Sequence, residues 1–251
     1  MTELLGPLSS MAYPGRVIII GAGSGFGKAL IFYAITGRSP SSQARRLRLE
    51  DRSIWTEPTD VETLKQGKPE LLVYRALAFD SGIAVSNGRQ TEHIAAALKS
   101  RGRDADPLTV LAEALEGWEY EPDAPHFTPR ISGCVQIGGR AGLSLIRMGG
   151  TGAPERSAFS WKLEPGFGRL LATYEGFEAN PLPSFIGAPR DVVLPWNDAK
   201  SMAEAAFGSM APAGPGQDYR VSVACLAADA GDLSDAEVHI INLRERSGRI
   251  G

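Results

Sequence analysis

A glycine-rich loop between two apolar runs, within Tyr13–Arg45, constrains the fold more than any other stretch of this chain. The runs are Val17–Ile20 and Ala29–Ile35, and the loop between them is Gly21–Gly27. A strand followed by a glycine loop and a helix would form a cradle for nucleotide phosphates. A strand followed by the same loop and a second strand would form a hairpin. The element after the loop therefore decides which kind of function to expect.

The glycine loop lacks residues that either phosphate cradle requires. A dinucleotide-binding fingerprint that begins at Gly21 needs a third glycine where Phe26 stands. A P-loop that ends at Lys28 needs glycine at Ala22 and a hydroxyl residue at Ala29. The segment that follows is rich in β-branched and aromatic residues, which favour a strand. The sequence therefore predicts a hairpin of two antiparallel strands, with no helix beginning after the loop.

The composition is that of an ordinary globular protein. The chain has 251 residues, of which 43% are hydrophobic and 22% are charged, and its formal net charge is −3. This balance lacks the basic excess that is typical of proteins that bind nucleic acid. Cys134 and Cys225 lie in apolar runs, which predicts buried, reduced thiols. No zinc motif, signal peptide or membrane span is recognisable, so we expect a cytoplasmic protein without a metal, a nucleic-acid partner or a membrane partner.

The order of the predicted elements indicates an α+β fold. Residues 1–12 are expected to be a loose extension ahead of a single domain, residues 13–251. After the hairpin, an arginine-rich loop leads to an edge strand, and Glu70–Phe79 is predicted as a further strand. Two helices follow, the second capped by Asp106, then four strands, a third helix that begins near Asp198, and two final strands. Strands joined by short turns pair antiparallel, so we predict a four-layer α-β-β-α sandwich of two antiparallel sheets.

Polar residues in short loops beside predicted strand ends are the candidates for chemistry. Glu119 and Glu121 flank Tyr120, so in an extended segment both carboxylates point to the same face. Close carboxylates can form an acid/base site, although two solvated surface glutamates are the commoner case. His126 in the same loop is a second candidate base, with a loop histidine of no catalytic role as the alternative. The residues alone leave both alternatives open.

Six short motifs occur in the order and approximate spacing of a known family, from Tyr13 to about Ala228. They are Tyr13–Arg16, Gly37–Ser39, Val85–Gly88, Tyr120–Glu121, Thr128–Ile131 and Thr173–Glu175. On these motifs the chain resembles the archaeal-type inosine monophosphate (IMP) cyclohydrolases. The resemblance implies ring closure of 5-formamido-imidazole-4-carboxamide ribotide (FAICAR) to IMP, with loss of water, in purine biosynthesis. It also implies an N-terminal-nucleophile-hydrolase-like fold without the nucleophile. Thr2, which removal of Met1 would expose as an N-terminal nucleophile, then has no catalytic role.

The resemblance carries two sets of residues onto this sequence. The catalytic set is Arg45, Tyr74 and Glu121. The substrate-binding set is Arg38, Ser86, Asn87, Gly88, Thr128 and Arg130. The pattern does not separate Arg45 from its neighbour Arg46. Because the closure is intramolecular and redox-neutral, it implies no metal and no cofactor, with a small purine ribotide as the partner and a homo-oligomer left open.

Two expectations about geometry follow from these sets. Arg38, Arg45 and Arg130 should converge on one pocket, because guanidinium groups suit phosphate and carboxamide oxygens. The alternative is that each is a surface arginine paired with a nearby acidic residue. Glu121 and Tyr74 should line the same pocket and handle the protons. Partial burial there would raise the pKa of Glu121 toward neutrality.

Two other classes of function compete with a cyclohydrolase. A protein of the same fold would be a binding module if it held a purine ribotide without converting it. An amide hydrolase of the N-terminal-nucleophile class would need a mature Ser, Thr or Cys at its N-terminus. Turnover of FAICAR, measured beside IMP binding, distinguishes a cyclohydrolase from a binding module. The intact mass of the protein distinguishes it from an amide hydrolase.

Overall fold

The computed structural model describes residues 4–25, 28–212 and 214–244. Within these residues the chain forms two antiparallel sheets and seven α-helices. The six-stranded sheet has the spatial order β11 (Arg190–Val193), β10 (Phe167–Ala172), β1 (Arg16–Ala22), β2 (Lys28–Thr36), β12 (Arg220–Asp229) and β13 (Glu237–Asn242). The seven-stranded sheet has the order β3 (Arg45–Glu50), β4 (Ser53–Pro58), β5 (Arg75–Phe79), β6 (Ile83–Ser86), β7 (Arg130–Gln136), β8 (Arg140–Met148) and β9 (Pro154–Lys162). The helices are α1 (Gly6–Ser9), α2 (Pro40–Gln43), α3 (Val61–Leu64), α4 (Pro69–Leu72), α5 (Gln90–Arg101), α6 (Pro107–Ala114) and α7 (Ala199–Ser209).

The glycine loop joins two paired strands, so the predicted hairpin is confirmed. β1 and β2 are antiparallel partners along the whole of β1, and the segment after the loop is a strand. Residues 26–27 of the loop lie outside the described residues. A Cβ added at Gly23 would lie 2.2 Å from the carbonyl oxygen of Trp196. Glycine is required there because another loop packs against the backbone.

The two sheets pack face to face around a shared core. A Cβ at Gly133 of β7 would lie 2.7 Å from Cδ1 of Ile20 in β1, so glycine lets the sheets approach. α5 and α6 pack on the other face of the seven-stranded sheet, and α7 packs on the six-stranded sheet. Cys134 and Cys225 are buried and unbridged, as predicted. The predicted α+β class and the two antiparallel sheets are confirmed.

Two predicted helix starts are confirmed, and one predicted strand is wrong. The side chains of Asp106 and Asp198 accept backbone N–H groups in the first turns of α6 and α7. The prediction of one strand over Glu70–Phe79 is wrong, because α4 ends only at Leu72 and β5 begins at Arg75. Pro69 favours the first position of a helix, since its fixed φ suits that turn and its missing N–H is not needed there. None of the helices among the described residues is long and apolar enough to cross a membrane.

Residues 4–12 pack against the domain. Leu8 is fully buried, and the backbone N–H of Val193 in β11 donates to the carbonyl of Leu4 at 3.0 Å. The expectation of a loose extension is therefore wrong for this segment, because its apolar side chains join the main core. Residues 1–3, which include Thr2, lie outside the described residues.

Truncation of Leu8 tests the packing of this segment. We expect Leu8→Ala to lower the free energy of unfolding by about 2–5 kcal/mol, because it removes a fully buried side chain and leaves a cavity. Leu4→Ala is the matched control, since Leu4 is 40% exposed, and we expect it to cost roughly 1 kcal/mol or less. Urea unfolding of both variants measures the difference. Equal, small effects would show that the segment is loose after all.

Candidate active site

A cleft of about 370 Å³ gathers residues from β1, from the loop after β2 and from the loop before β7. Its polar walls include Tyr13, Arg16, Arg38, Glu121, His126 and Tyr174. A second cavity of about 410 Å³, beside Trp161 and β10, contains none of the predicted site residues. The first cleft is therefore the candidate site.

Glu121 is a buried carboxyl group on the cleft wall. It is 2% exposed, and its Oε1 accepts a hydrogen bond from Nη1 of Arg130 at 3.3 Å. Burial raises the pKa of Glu121 to about 7, although the charges of Arg16 and Arg130 act to lower it. The predicted burial and raised pKa are confirmed. Glu119, expected to share its face, is instead exposed, so the two carboxyl groups do not form a pair.

The charges of two buried arginines, Arg16 and Arg45, lower the pKa of Glu121. Both guanidinium groups have N–H donors without an acceptor among the described residues. Arg16 lines the cleft, and its Nε is buried without an acceptor. Arg45 is 2% exposed; its Nε donates to the carbonyl of Ser42 at 2.8 Å, while Nη1 and Nη2 have no acceptor. Burial, and then the charge of Arg16, lowers the pKa of Arg45 to about 10. Buried donors of this kind stabilise an oxygen that carries negative charge.

Two tyrosines form a buried pair between the sheets. The hydroxyl groups of Tyr33 in β2 and Tyr74 before β5 lie 2.6 Å apart. Burial raises the pKa of Tyr33, and the neighbouring Tyr74 raises it further. Tyr74 is not among the residues that line the cleft, which corrects the expectation that it faces the cleft with Glu121. It lies inside the core instead, where its hydroxyl is hydrogen-bonded to that of Tyr33.

Thr128 belongs to a chain of hydrogen bonds on the cleft wall. Its Oγ1 donates to Oδ2 of Asp123 at 2.5 Å, and its backbone N–H donates to Oδ1 at 2.7 Å. Because the threonine proton is used, the hydroxyl of Tyr174, 2.6 Å away, donates to Oγ1. Burial raises the pKa of Tyr174. This chain fixes the direction of three polar side chains that line the cleft.

Ser86 and Asn87, predicted to bind substrate, are engaged elsewhere. Nδ2 of Asn87 donates to the carbonyl of Pro129 at 2.8 Å, and its Oδ1 accepts from the N–H of Ile131 at 2.9 Å. The hydroxyl of Ser86 lies 2.7 Å from that of Thr91. Both side chains are fully buried and lie outside the cleft lining. Asn87 fixes the start of β7, and Ser86 fixes the turn at Gly88, because each supplies hydrogen bonds that the adjacent backbone needs.

Arg130 stands behind Glu121 and not on the cleft wall. Its guanidinium group lies over the ring of Trp118, 5.4 Å from the centroid, and donates to Glu121. A Cβ at Gly88 would lie 2.5 Å from Nη1 of Arg130, so glycine makes room for this arrangement. Of the three arginines expected to converge on one pocket, only Arg38 lines the cleft. The others act on Glu121 through their charge.

The sequence-based site set omitted Arg16 and Tyr33. Arg16 shares one face of β1 with Ile18 and Ile20, since side chains two apart in a strand point the same way. A charge on an otherwise apolar buried face is a signal that was available. The sequence carries no such signal for Tyr33, because a tyrosine in an apolar strand is an ordinary core residue.

Comparison with known proteins bears directly on this cleft. The family model described as IMP cyclohydrolase-like protein matches residues 13–228, which include every cleft residue named above. The chain belongs to the IMP cyclohydrolase-like family. An IMP cyclohydrolase of Thermococcus kodakarensis is 32% identical over 172 residues, which are 67% of this chain and 78% of that relative. An IMP cyclohydrolase of Methanocaldococcus jannaschii is 32% identical over 122 residues, which are 48% of this chain and 55% of that relative. The resemblance seen in the six motifs is thus confirmed at the level of the family.

Proposed function

We propose that this member of the family closes the ring of FAICAR to form IMP, with loss of water. The observation that carries the proposal is the buried carboxyl group of Glu121, with a pKa of about 7, in a cleft of the matched segment. A carboxyl group poised near neutrality can both accept and return a proton. The reaction needs one group that does both.

The chemistry of closure assigns Glu121 its role. The carboxamide nitrogen of the substrate attacks its own formyl carbon, a C–N bond forms, and the former formyl oxygen leaves as water. The carboxylate of Glu121 takes a proton from the attacking nitrogen and returns it to the departing oxygen. The second proton of the water comes from the formamido nitrogen, which forms the C=N bond of the new ring as the C–O bond breaks. Because both reacting groups belong to one molecule, a cleft that holds them in contact supplies much of the acceleration.

The buried cations supply the stabilisation of charge. As the nitrogen attacks, negative charge develops on the formyl oxygen. Arg16 lines the cleft and offers it a donor, and the buried charge of Arg45 behind the wall adds to the stabilisation. The Tyr33–Tyr74 pair lies outside the cleft lining, and, against the lowering effect of burial, both tyrosines raise the pKa of Arg16. We therefore assign Tyr74 an indirect part, in which it supports Arg16 as the cation that stabilises this oxygen.

The predicted binding residues fall into two groups in this proposal. Arg38 and Thr128 line the cleft and contact the ribotide. Asn87 holds the start of β7, and Ser86 holds the turn at Gly88. Gly88 leaves room for Arg130, which orients Glu121. We also propose that the two facing sheets with their outer helices form the four-layer sandwich of the N-terminal-nucleophile-hydrolase-like fold. A cytoplasmic location stays an expectation.

Incubation of the purified protein with FAICAR tests the proposal. We expect the absorbance to change from that of FAICAR to that of IMP, with IMP as the only product by chromatography. Titration with IMP, run in parallel, identifies a binding module: it would bind IMP and leave FAICAR unconverted. An intact mass that shows a newly exposed Ser, Thr or Cys terminus would favour an amide hydrolase.

A further inference from the structure

One wall of the cleft brings two hydrogen-bond donors face to face. Nη2 of Arg38 lies 3.2 Å from Nε2 of His126. The backbone N–H of Leu182 donates to the other ring nitrogen of His126, Nδ1, at 3.1 Å. A neutral imidazole carries one N–H, and a ring that accepts at Nδ1 must carry it on Nε2. A guanidinium group only donates, so the contact between Arg38 and His126 joins two N–H groups.

Protonation of the ring does not relieve this contact. A second proton on Nδ1 would face the N–H of Leu182 and break the bond that orients the ring. Burial and the charge of Arg38 lower the pKa of His126, which also favours the neutral ring. The ring is therefore a fixed donor beside a cation, and an acceptor placed between them satisfies both.

No acidic side chain that the structure describes pairs with the charge of Arg38. Its Nη1 donates to the carbonyl of Ala179 at 3.2 Å, and its guanidinium group lies over the ring of Tyr13, 5.0 Å from the centroid. Across the described part of the chain, no carboxylate forms an ion pair with it; Asp123, an acidic residue of the same cleft, is held by Thr128. A cation held in place by a carbonyl and an aromatic ring, beside a second donor, suits an anion.

We propose that the phosphate group of the ribotide binds between Arg38 and His126, and accepts from Nη2 of the first and Nε2–H of the second. The assignment rests on the proposed function, since it takes a ribotide as the ligand. Lys68 lines the same cleft and adds a further positive charge. The other cationic group, around Arg45, is a poorer phosphate site because Arg45 does not line the cleft. With the phosphate bound at Arg38, the carboxamide and formyl groups of the ribotide lie against the wall that contains Glu121.

A comparison of IMP with inosine, which lacks only the phosphate, tests the subsite. We expect Arg38→Met to weaken IMP binding by roughly 10- to 100-fold, the effect of a lost charge-assisted hydrogen bond. Inosine binding should change by less than about threefold, since only the phosphate contact is lost. His126→Gln, which keeps an amide N–H donor, should preserve more of the preference for IMP over inosine than His126→Leu. Calorimetric titration of wild type and the three variants gives the two dissociation constants for each.

The ratio of the two dissociation constants decides the assignment independently of turnover. Equal weakening of IMP and inosine by Arg38→Met, or an unchanged ratio in both His126 variants, would overturn the phosphate subsite. Inorganic phosphate should compete with IMP in wild type and lose that ability in Arg38→Met. If wild type converts FAICAR but the ratio does not move, the subsite alone is wrong. If the ratio moves but FAICAR is not converted, the proposed reaction is wrong and the subsite stands.

Discussion

Replacement of Glu121 by glutamine is expected to lower kcat for FAICAR closure by roughly 10²–10⁴-fold, the usual effect of losing one positioned acid/base group. Glutamine has the size of glutamate and keeps an oxygen that can accept from Arg130. The variant should therefore keep its cleft and bind IMP within about tenfold of wild type. Steady-state kinetics with FAICAR, beside titration with IMP, measures both quantities.

Glu119→Gln is the control for this variant. Glu119 is close in sequence and exposed, and it does not line the cleft. We expect its kcat to stay within about twofold of wild type, as for surface substitutions away from a site. Wild-type turnover in Glu121→Gln would show that another group moves the proton.

The second large effect is expected from Arg45→Met. The guanidinium group of Arg45 is buried, and two of its nitrogens have no acceptor in the part of the chain described. Loss of one preorganised group that stabilises a developing oxyanion typically lowers kcat about 10²–10³-fold. Methionine fills a similar volume without a buried charge, so the variant should be at least as stable as wild type. We expect a protein that unfolds at the same or a higher temperature and has almost no activity.

Arg46→Met separates the two arginines that the sequence pattern left equivalent. The side chain of Arg46 is 42% exposed and pairs with Glu57, its Nε lying 2.7 Å from Oε1. We expect its removal to change kcat by less than about twofold, since exposed ion pairs contribute little. The assignment of Arg45 fails if Arg46→Met has the larger effect on kcat, or if Arg45→Met retains wild-type turnover.

Local patterns in the sequence predicted most of the elements. The run of β-branched and aromatic residues after the glycine loop predicted β2, and Asp106 and Asp198 marked the starts of two helices. Segments whose structure depends on distant partners were missed. β11 has only four residues and pairs with β10 at a sheet edge, and α1 is a four-residue helix whose one buried side chain, Leu8, packs into the main core. Short segments of this kind carry no periodicity that distinguishes them from loops.

The site shows the same division between local and distant information. Burial of Glu121 followed from its place in a short loop, since proline at the next position keeps it extended. The direction of Asn87 did not follow, because its two partners, Pro129 and Ile131, are reached only across the pairing of β6 with β7. The motif identified the residue, and the sheet register decided that it supports the backbone.

The pH dependence of kcat/KM tests most directly the claim that Glu121 is the base. The carboxylate form is the active one, so kcat/KM should fall below a pH of about 7 by about tenfold per pH unit and level off above it. The charge of Asp123 raises the pKa of Glu121. Asp123→Asn removes that charge and should move the fall in kcat/KM to lower pH. A profile that is flat between about pH 5 and 8, or one that Asp123→Asn leaves in place, would contradict the assignment.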